Sequence, residues 1–165
     1  MIIMDKTFDQ EEFNLFNPAY CGFLILNSIR EYQQSNKKGF PSSLVYTILP
    51  IIMTKAITDS FPRTTSTSFV TWVMDNNHNF VNFDERVMGF FEVTQEAIHF
   101  LMSNKTININ ENGLISYTSK SVKKSSKIFN QSSTIKKQVS ASNLFGKWMA
   151  TQESTTVYSL LGIRP

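Results

Sequence analysis

The chain has 165 residues, a net charge of +3, 41% hydrophobic residues and fourteen phenylalanines. That much apolar material excludes a disordered chain, and the length suits one domain, or one domain with an appendage, able to bury roughly 70% of its unfolded surface. The single cysteine, Cys21, excludes an intramolecular disulfide and fits a reducing compartment.

The charge is unevenly placed. Between Glu111 and Glu153 there is no Asp or Glu, while Lys120, Lys123, Lys124, Lys127, Lys136, Lys137 and Lys147 all fall there. That stretch carries +7 of a chain whose total is +3, which leaves the remainder at −4. No run approaches the ~20 continuous apolar residues of a membrane span. The longest candidate, AYCGFLIL, is stopped by Asn27 and Arg30. The start, MIIMDKTFDQEE, has too short an apolar patch for a signal peptide and turns acidic at once. A cytoplasmic protein is expected.

Taken in chain order, EEFNLFNPAYCGFLILNSIREYQQSN predicts the first long helix, with Pro18 in its first turn and Phe23, Leu26, Ile29 and Tyr32 at helical spacing. Gly39 and Pro41 end it. Ser42 and Ser43 are expected to cap LVYTILPIIMTKAI, a helix apolar on nearly every side and therefore buried, which Pro50 kinks or divides. After the break at Pro62, the Thr/Ser run supplies caps for a helix carrying Phe69, Trp72 and Val73. VNFDERVMGFF predicts a short helix with Phe83, Val87, Phe90 and Phe91 inward. Thr94 is expected to cap QEAIHFLMSN, with Ala97, Ile98, Leu101 and Met102 as its apolar stripe.

In TININENGLISYT, Ile107 and Ile109 alternate with Asn108 and Asn110, the period of a half-buried strand. Asn112-Gly113 is a favoured hairpin turn, because both residues tolerate positive φ, and Leu114 opens the return strand. Helices followed by a hairpin make a mainly α fold (α+β), a helical bundle in a winged-helix-like arrangement. The same order also occurs in unrelated α+β folds. The Ser- and Lys-rich stretch that follows reads as a solvated linker, before a short helix with Leu144, Phe145, Trp148 and Met149 and the closing TTVYSLLGIRP. The expected organisation is residues 1–118 as the helical domain with its hairpin, 119–137 as a flexible basic linker and 138–165 as a C-terminal helix with a docked tail.

Sites for chemistry are sparse. Neither GxxxxGK[ST] nor GxGxxG is present, so both nucleotide fingerprints are missing, and His78 and His99 lie apart with no Cys pair or HExxH, which argues against zinc. Cys21 sits among apolar residues, where a free Cys acts as a small hydrophobe. Asp84 and Glu85 are neighbours on a helix and point in different directions, as on a solvated face. No catalytic set, metal site or cofactor is expected. Lys120, Lys123, Lys124, Lys127, Lys136 and Lys137 are candidate phosphate contacts to nucleic acid, salt-sensitive and blind to sequence, against the alternative of a soluble loop. Arg63, in a Pro-marked loop before a helix, could anchor a carboxylate or a phosphate, or be a helix cap or simply solvated.

Three stretches, NPAYCGFLILNSIREY, LPIIMTKAITDSFPRTTSTSFVTWV and FGKWMATQESTTVYSLLGIRP, resemble the middle component of bacterial three-component ABC systems. The resemblance covers nearly the whole chain except the lysine-rich stretch. Its most specific parts are Asn17-Pro18-Ala19, Pro62-Arg63-Thr64 and Leu161-Gly162-Ile163-Arg164-Pro165. It brings no catalytic residues. It implies a non-catalytic adaptor that joins an ABC-type ATPase, related to chromosome-maintenance and repair ATPases, to a third effector component or to DNA, in biological conflict such as defence against phage. Asn17, Pro18, Arg63, Trp148, Leu161 and Arg164 become candidates for a partner-binding or structural motif. Residues 160–165 are expected to be an ordered segment, packed on the first helices or docked on the ATPase. The competing readings are a free-standing winged-helix DNA-binding regulator and an enzyme of unknown type. The regulator would need an outward face rich in Arg, Asn and Gln, where QEAIHFLMSN offers only Gln95, His99 and Asn104.

Overall fold

Helix α1 (Pro18–Ser35) begins where the sequence marks it: Asn17 accepts a hydrogen bond from the Ala19 amide at 2.8 Å and Pro18 takes the first turn. The computed structural model describes residues 16–118 and 132–164. Among these are eight α-helices, one 3-10 helix and a small three-stranded antiparallel sheet, a mainly helical α+β fold. The expected apolar stripe of α1 understates its burial. Every residue from Tyr20 to Ile29 is buried, including Asn27 and Ser28, so α1 is a central helix covered on all sides.

The chain leaves α1 through Asn36 into strand β1 (Phe40–Pro41), then enters α2 (Ser42–Ile52) and α3 (Lys55–Asp59). Ser42 and Ser43 do not cap α2. The cap position is Pro41, Ser42 is already helical, and its amide donates to the Gly113 carbonyl at 2.9 Å, because β1 runs straight into the helix. Leu44, Val45, Ile48, Leu49, Ile51 and Ile52 are all buried, as the all-round apolar pattern requires. Pro50 lies inside α2, and the helix ends at Met53, with Thr54 separating it from α3.

Ser68 caps α4 (Phe69–Asp75), its side chain accepting from the Thr71 amide at 3.1 Å. A 3-10 turn (Asn77–Phe80) leads to α5 (Phe83–Gly89) and α6 (Phe91–Ser103). Two expectations fail here. Thr94 lies inside α6, fully buried and with its hydroxyl unpartnered among the described residues, because the helix starts four residues earlier than the cap reading placed it. Phe91 is 43% exposed and stacks on Tyr46 at 5.1 Å instead of entering the core, and Met102 is exposed as well.

Strands β2 (Ile107–Ile109) and β3 (Leu114–Tyr117) form the hairpin, with Ile109 opposite Ile115. Only Gly113 has positive φ (+73°) in the turn, and the Asn110 side chain accepts from the amides of Asn112 and Leu114, which closes a three-residue loop. Strand β1 adds to β3, Phe40 opposite Ile115, to give the order β1-β3-β2.

Helix α7 runs Ser133–Met149, capped by the Ser132 hydroxyl on the Ile135 amide at 3.1 Å. It therefore reaches back through Lys137 into the stretch read as linker. Ile135, Gln138, Val139 and Ser142 give that segment an inward face, which its lysine content masks. Helix α7 packs along α1 in the same direction. Tyr20 donates to the Gln138 side chain at 2.6 Å and Ser28 donates to the Ser142 carbonyl at 2.7 Å. The two helices approach closely at Gly146, where a Cβ would lie 2.2 Å from the Ser28 carbonyl oxygen. Val139, Phe145, Trp148 and Met149 thereby join the same core as Leu24, Ile48 and Phe69.

Helix α8 (Ser154–Leu161) buries Val157 and Leu161 and packs against α4. Gly162 (φ +71°) stops it, and the Ile163 amide donates back to the Tyr158 carbonyl at 2.9 Å, a helix-ending motif that folds Ile163 onto the core. Deleting residues 160–165 is expected to lower stability by about 2 kcal/mol through lost burial of Leu161 and Ile163. A urea midpoint unchanged by the deletion would show that the tail contributes nothing to the fold. Among the described residues no helix is long and apolar enough to cross a membrane.

Candidate partner-binding site

The structure brings together three of the residues singled out in the sequence. Arg63, Lys136 and Lys137 line one cleft of about 420 Å³ between the loop after α3 and the first turns of α7. Thr58, Asp59, Phe61, Pro62, Ser140, Ala141 and Leu144 complete its walls. Pro62 ends the turn after α3 and holds Arg63 outside any helix, while α7 presents Lys136, Ser140 and Leu144 at the four-residue spacing of one helix face.

The electrostatics centre on Asp59. Its carboxylate accepts from Lys55 at 2.5 Å and from Lys137 at 3.1 Å, so α3 and α7 share one acid between two lysines. Hydrogen bonds from Lys55 and then Lys137 hold its pKa below the usual aspartate value. A depressed carboxylate pKa favours the folded ion pair above the unfolded value of ~3.9, and that contribution fades only as the pH falls through the folded pKa beneath it. Arg63 and Lys136 are exposed and have no ionic partner among the described residues. Three lining cations, Arg63, Lys136 and Lys137, against the one lining anion Asp59 leave the cleft positive.

The floor is apolar and rigid. The Phe61 ring lies edge-on to Trp72 at 4.7 Å and tilted against Trp148 at 5.4 Å. Trp72 donates its indole N–H to Ser60 and Trp148 donates to the Thr67 carbonyl, so both rings are fixed at one polar end. Trp148 is 2% exposed and is a core residue, not a contact surface.

The remaining sequence candidates are scattered. Asn17 and Pro18 start α1, Leu161 is buried at the end of α8, and Arg164 is exposed beyond it. Lys120, Lys123, Lys124 and Lys127 lie outside the described residues. Lys147, near the other end of α7, lines a separate polar hollow with Ser68 and Gln152. Asp59, Lys55 and Phe61 were missed as site residues. The i,i+4 spacing of Lys55 and Asp59 was available as a signal, but nothing in the sequence pairs Asp59 with Lys137, 78 residues away.

A second surface lies on α6. Glu92, Gln95, Glu96 and His99 face a shallow hollow of about 360 Å³ beside Pro18, and Phe91, Phe100 and Met102 are exposed on the same helix. Cys21 is fully buried, and burial, with a smaller effect of Glu96, pushes its thiol up to about 12, far from nucleophilic. Among the described residues no three His, Cys, Asp or Glu side chains gather as a metal site would require.

No curated protein and no solved structure matches the chain significantly. The family model for the ABC-three component (ABC-3C) system Middle Component 3 matches residues 5–165, which takes in both surfaces described above. The chain belongs to the Middle Component 3 family of ABC-three component systems.

Proposed function

We propose that this protein is a non-catalytic, cytoplasmic adaptor that links the ABC-type ATPase of its system to an effector component or to DNA, in defence against phage. Family membership over residues 5–165 carries the reading. Two features of the surface support it. The positive cleft and the acidic, partly apolar α6 face offer two chemically distinct docking regions, as a protein joining two partners needs.

A second reading, the winged-helix regulator, draws on the element order. One helix, one strand, a second helix, a later helix and a hairpin, with the sheet ordered β1-β3-β2, is the order of a winged-helix domain. In that arrangement α6 would be the helix offered to DNA. Between Phe91 and Asn104 it has no Lys or Arg, and Glu92 and Glu96 are exposed. A duplex would repel that face, since phosphate neutralisation supplies most non-specific affinity. The winged-helix-like element is better suited to protein than to DNA.

The test is affinity purification from native cells at low and high salt, with and without nuclease. Recovery of an ABC-type ATPase that survives both treatments is the expected result. Recovery of DNA alone, lost as salt rises, would replace the adaptor with the regulator.

A further inference from the structure

We propose that the cleft formed by Arg63, Lys136 and the Phe61–Leu144 floor binds an acidic segment of a protein partner, one that carries an apolar side chain between carboxylates. The source of that segment rests on the adaptor reading; the binding chemistry does not.

Each part of the cleft matches one part of such a ligand. Arg63 and Lys136 stand at the rim, exposed and without a described ionic partner. A guanidinium there can take a carboxylate through two parallel hydrogen bonds. Lys137 is steered across the cleft by Asp59, which Lys55 helps to keep ionised. Between these cations, Phe61, Pro62, Ala141 and Leu144 form an apolar floor. Phe61 cannot collapse inward, because Trp72 and Trp148 already occupy the space behind it. An apolar side chain placed on that floor loses its water, and the flanking carboxylates meet the rim.

Nucleic acid fits the same residues less well. A cleft of about 420 Å³ is too small to admit a duplex, whose phosphates could reach only the cations at the rim. The apolar floor has nothing to contact on a phosphodiester. The Phe61 ring, packed against two indoles, offers no open platform for a base.

Binding of a fluorescein-labelled peptide, Asp-Glu-Leu-Phe-Asp-Glu, to the full chain would be followed by anisotropy at low salt. The comparison ligands are Lys-Lys-Leu-Phe-Lys-Lys, Asp-Glu-Ser-Ser-Asp-Glu and a short duplex DNA. The acidic apolar peptide is expected to bind with a Kd below about 1 mM, and the R63E/K136E variant to weaken it about tenfold or more. Both side chains are exposed, so the thermal midpoint of the variant should stay within about 1–2 °C of the parent. The serine peptide should also bind about tenfold more weakly. Equal binding of acidic and basic peptides, or no effect of R63E/K136E, overturns the proposal. So does duplex DNA that binds and is lost in R63E/K136E while the acidic peptide stays silent; that result hands the cleft to nucleic acid. If the peptide fails while the ATPase still co-purifies, the cleft assignment falls and the adaptor stands. If the peptide binds as expected and no ATPase is recovered, the adaptor falls and the cleft stands.

Discussion

Replacing Gly146 with alanine is expected to lower stability by about 3 kcal/mol, although alanine is the better helix former. In an open helix interior the change would gain ~1 kcal/mol. At this position the added Cβ would sit 2.2 Å from the Ser28 carbonyl oxygen and 2.9 Å from the Ser28 carbonyl carbon and Cα. Those are backbone atoms of α1, which have no rotamer to change. The only relief is to push α7 away from α1 by about 1 Å, and interiors packed at crystal density resist that. The shift would stretch the Ser28–Ser142 and Tyr20–Gln138 hydrogen bonds and loosen Phe145 and Met149, both fully buried. Urea unfolding measures the effect. Gly89→Ala is the control, since a Cβ there meets nothing within 4 Å and its helix end is exposed. If Gly146→Ala proved neutral or stabilising, the close parallel packing of α1 on α7 would be wrong.

Trp148→Ala should cost about 4 kcal/mol, which for a chain of this length is a fall of roughly 10 °C in the thermal midpoint. The side chain is 2% exposed, touches the rings of Phe61, Phe69 and Trp72 at centroid distances of 5.4, 5.7 and 5.0 Å, and donates to the Thr67 carbonyl at 3.0 Å. Removing it opens a cavity behind Phe61 and leaves the Thr67 carbonyl without that donor. The floor of the basic cleft should sag into the void, so affinity for the acidic peptide should fall as well. Trp148→Phe, which keeps most of the ring volume and loses the N–H, should fall between the two. A Trp148→Ala protein of unchanged stability that had lost partner binding would place Trp148 on a contact surface, against the packing described here.

These two expectations differ in where they could have been read. The apolar content of SASNLFGKWMATQ already marks Trp148 as inward-facing. Nothing near Gly146 in the sequence says that another helix passes within contact of it, because the obstacle is the backbone of Ser28, more than a hundred residues earlier. The same division runs through the whole chain. The caps at Asn17 and Ser68, the positive-φ turn at Gly113 and the apolar run of α2 are local chemistry, each settled by a few neighbouring residues. Ser42 and Thr94 looked like caps by the same local rule. They failed because a strand feeds directly into α2 and because α6 starts earlier, against Phe90. The two-residue strand β1 is too short to show any period, and only pairing with β3 makes it a strand.

Composition, short-range period and motif already mark the chain as mainly helical with one hairpin, with its lysines crowded into one segment, and as a member of the Middle Component 3 family. Which of the described lysines share a cleft follows from packing and not from local sequence. Residues 133–137 have to fold as the start of α7, and α7 has to lie along α1, before Lys136 and Lys137 reach Arg63 and Asp59. A charge in sequence is only a charge; packing gives it neighbours, and neighbours a few ångströms away determine whether a cation is solvated, paired, or held at the rim of a cleft.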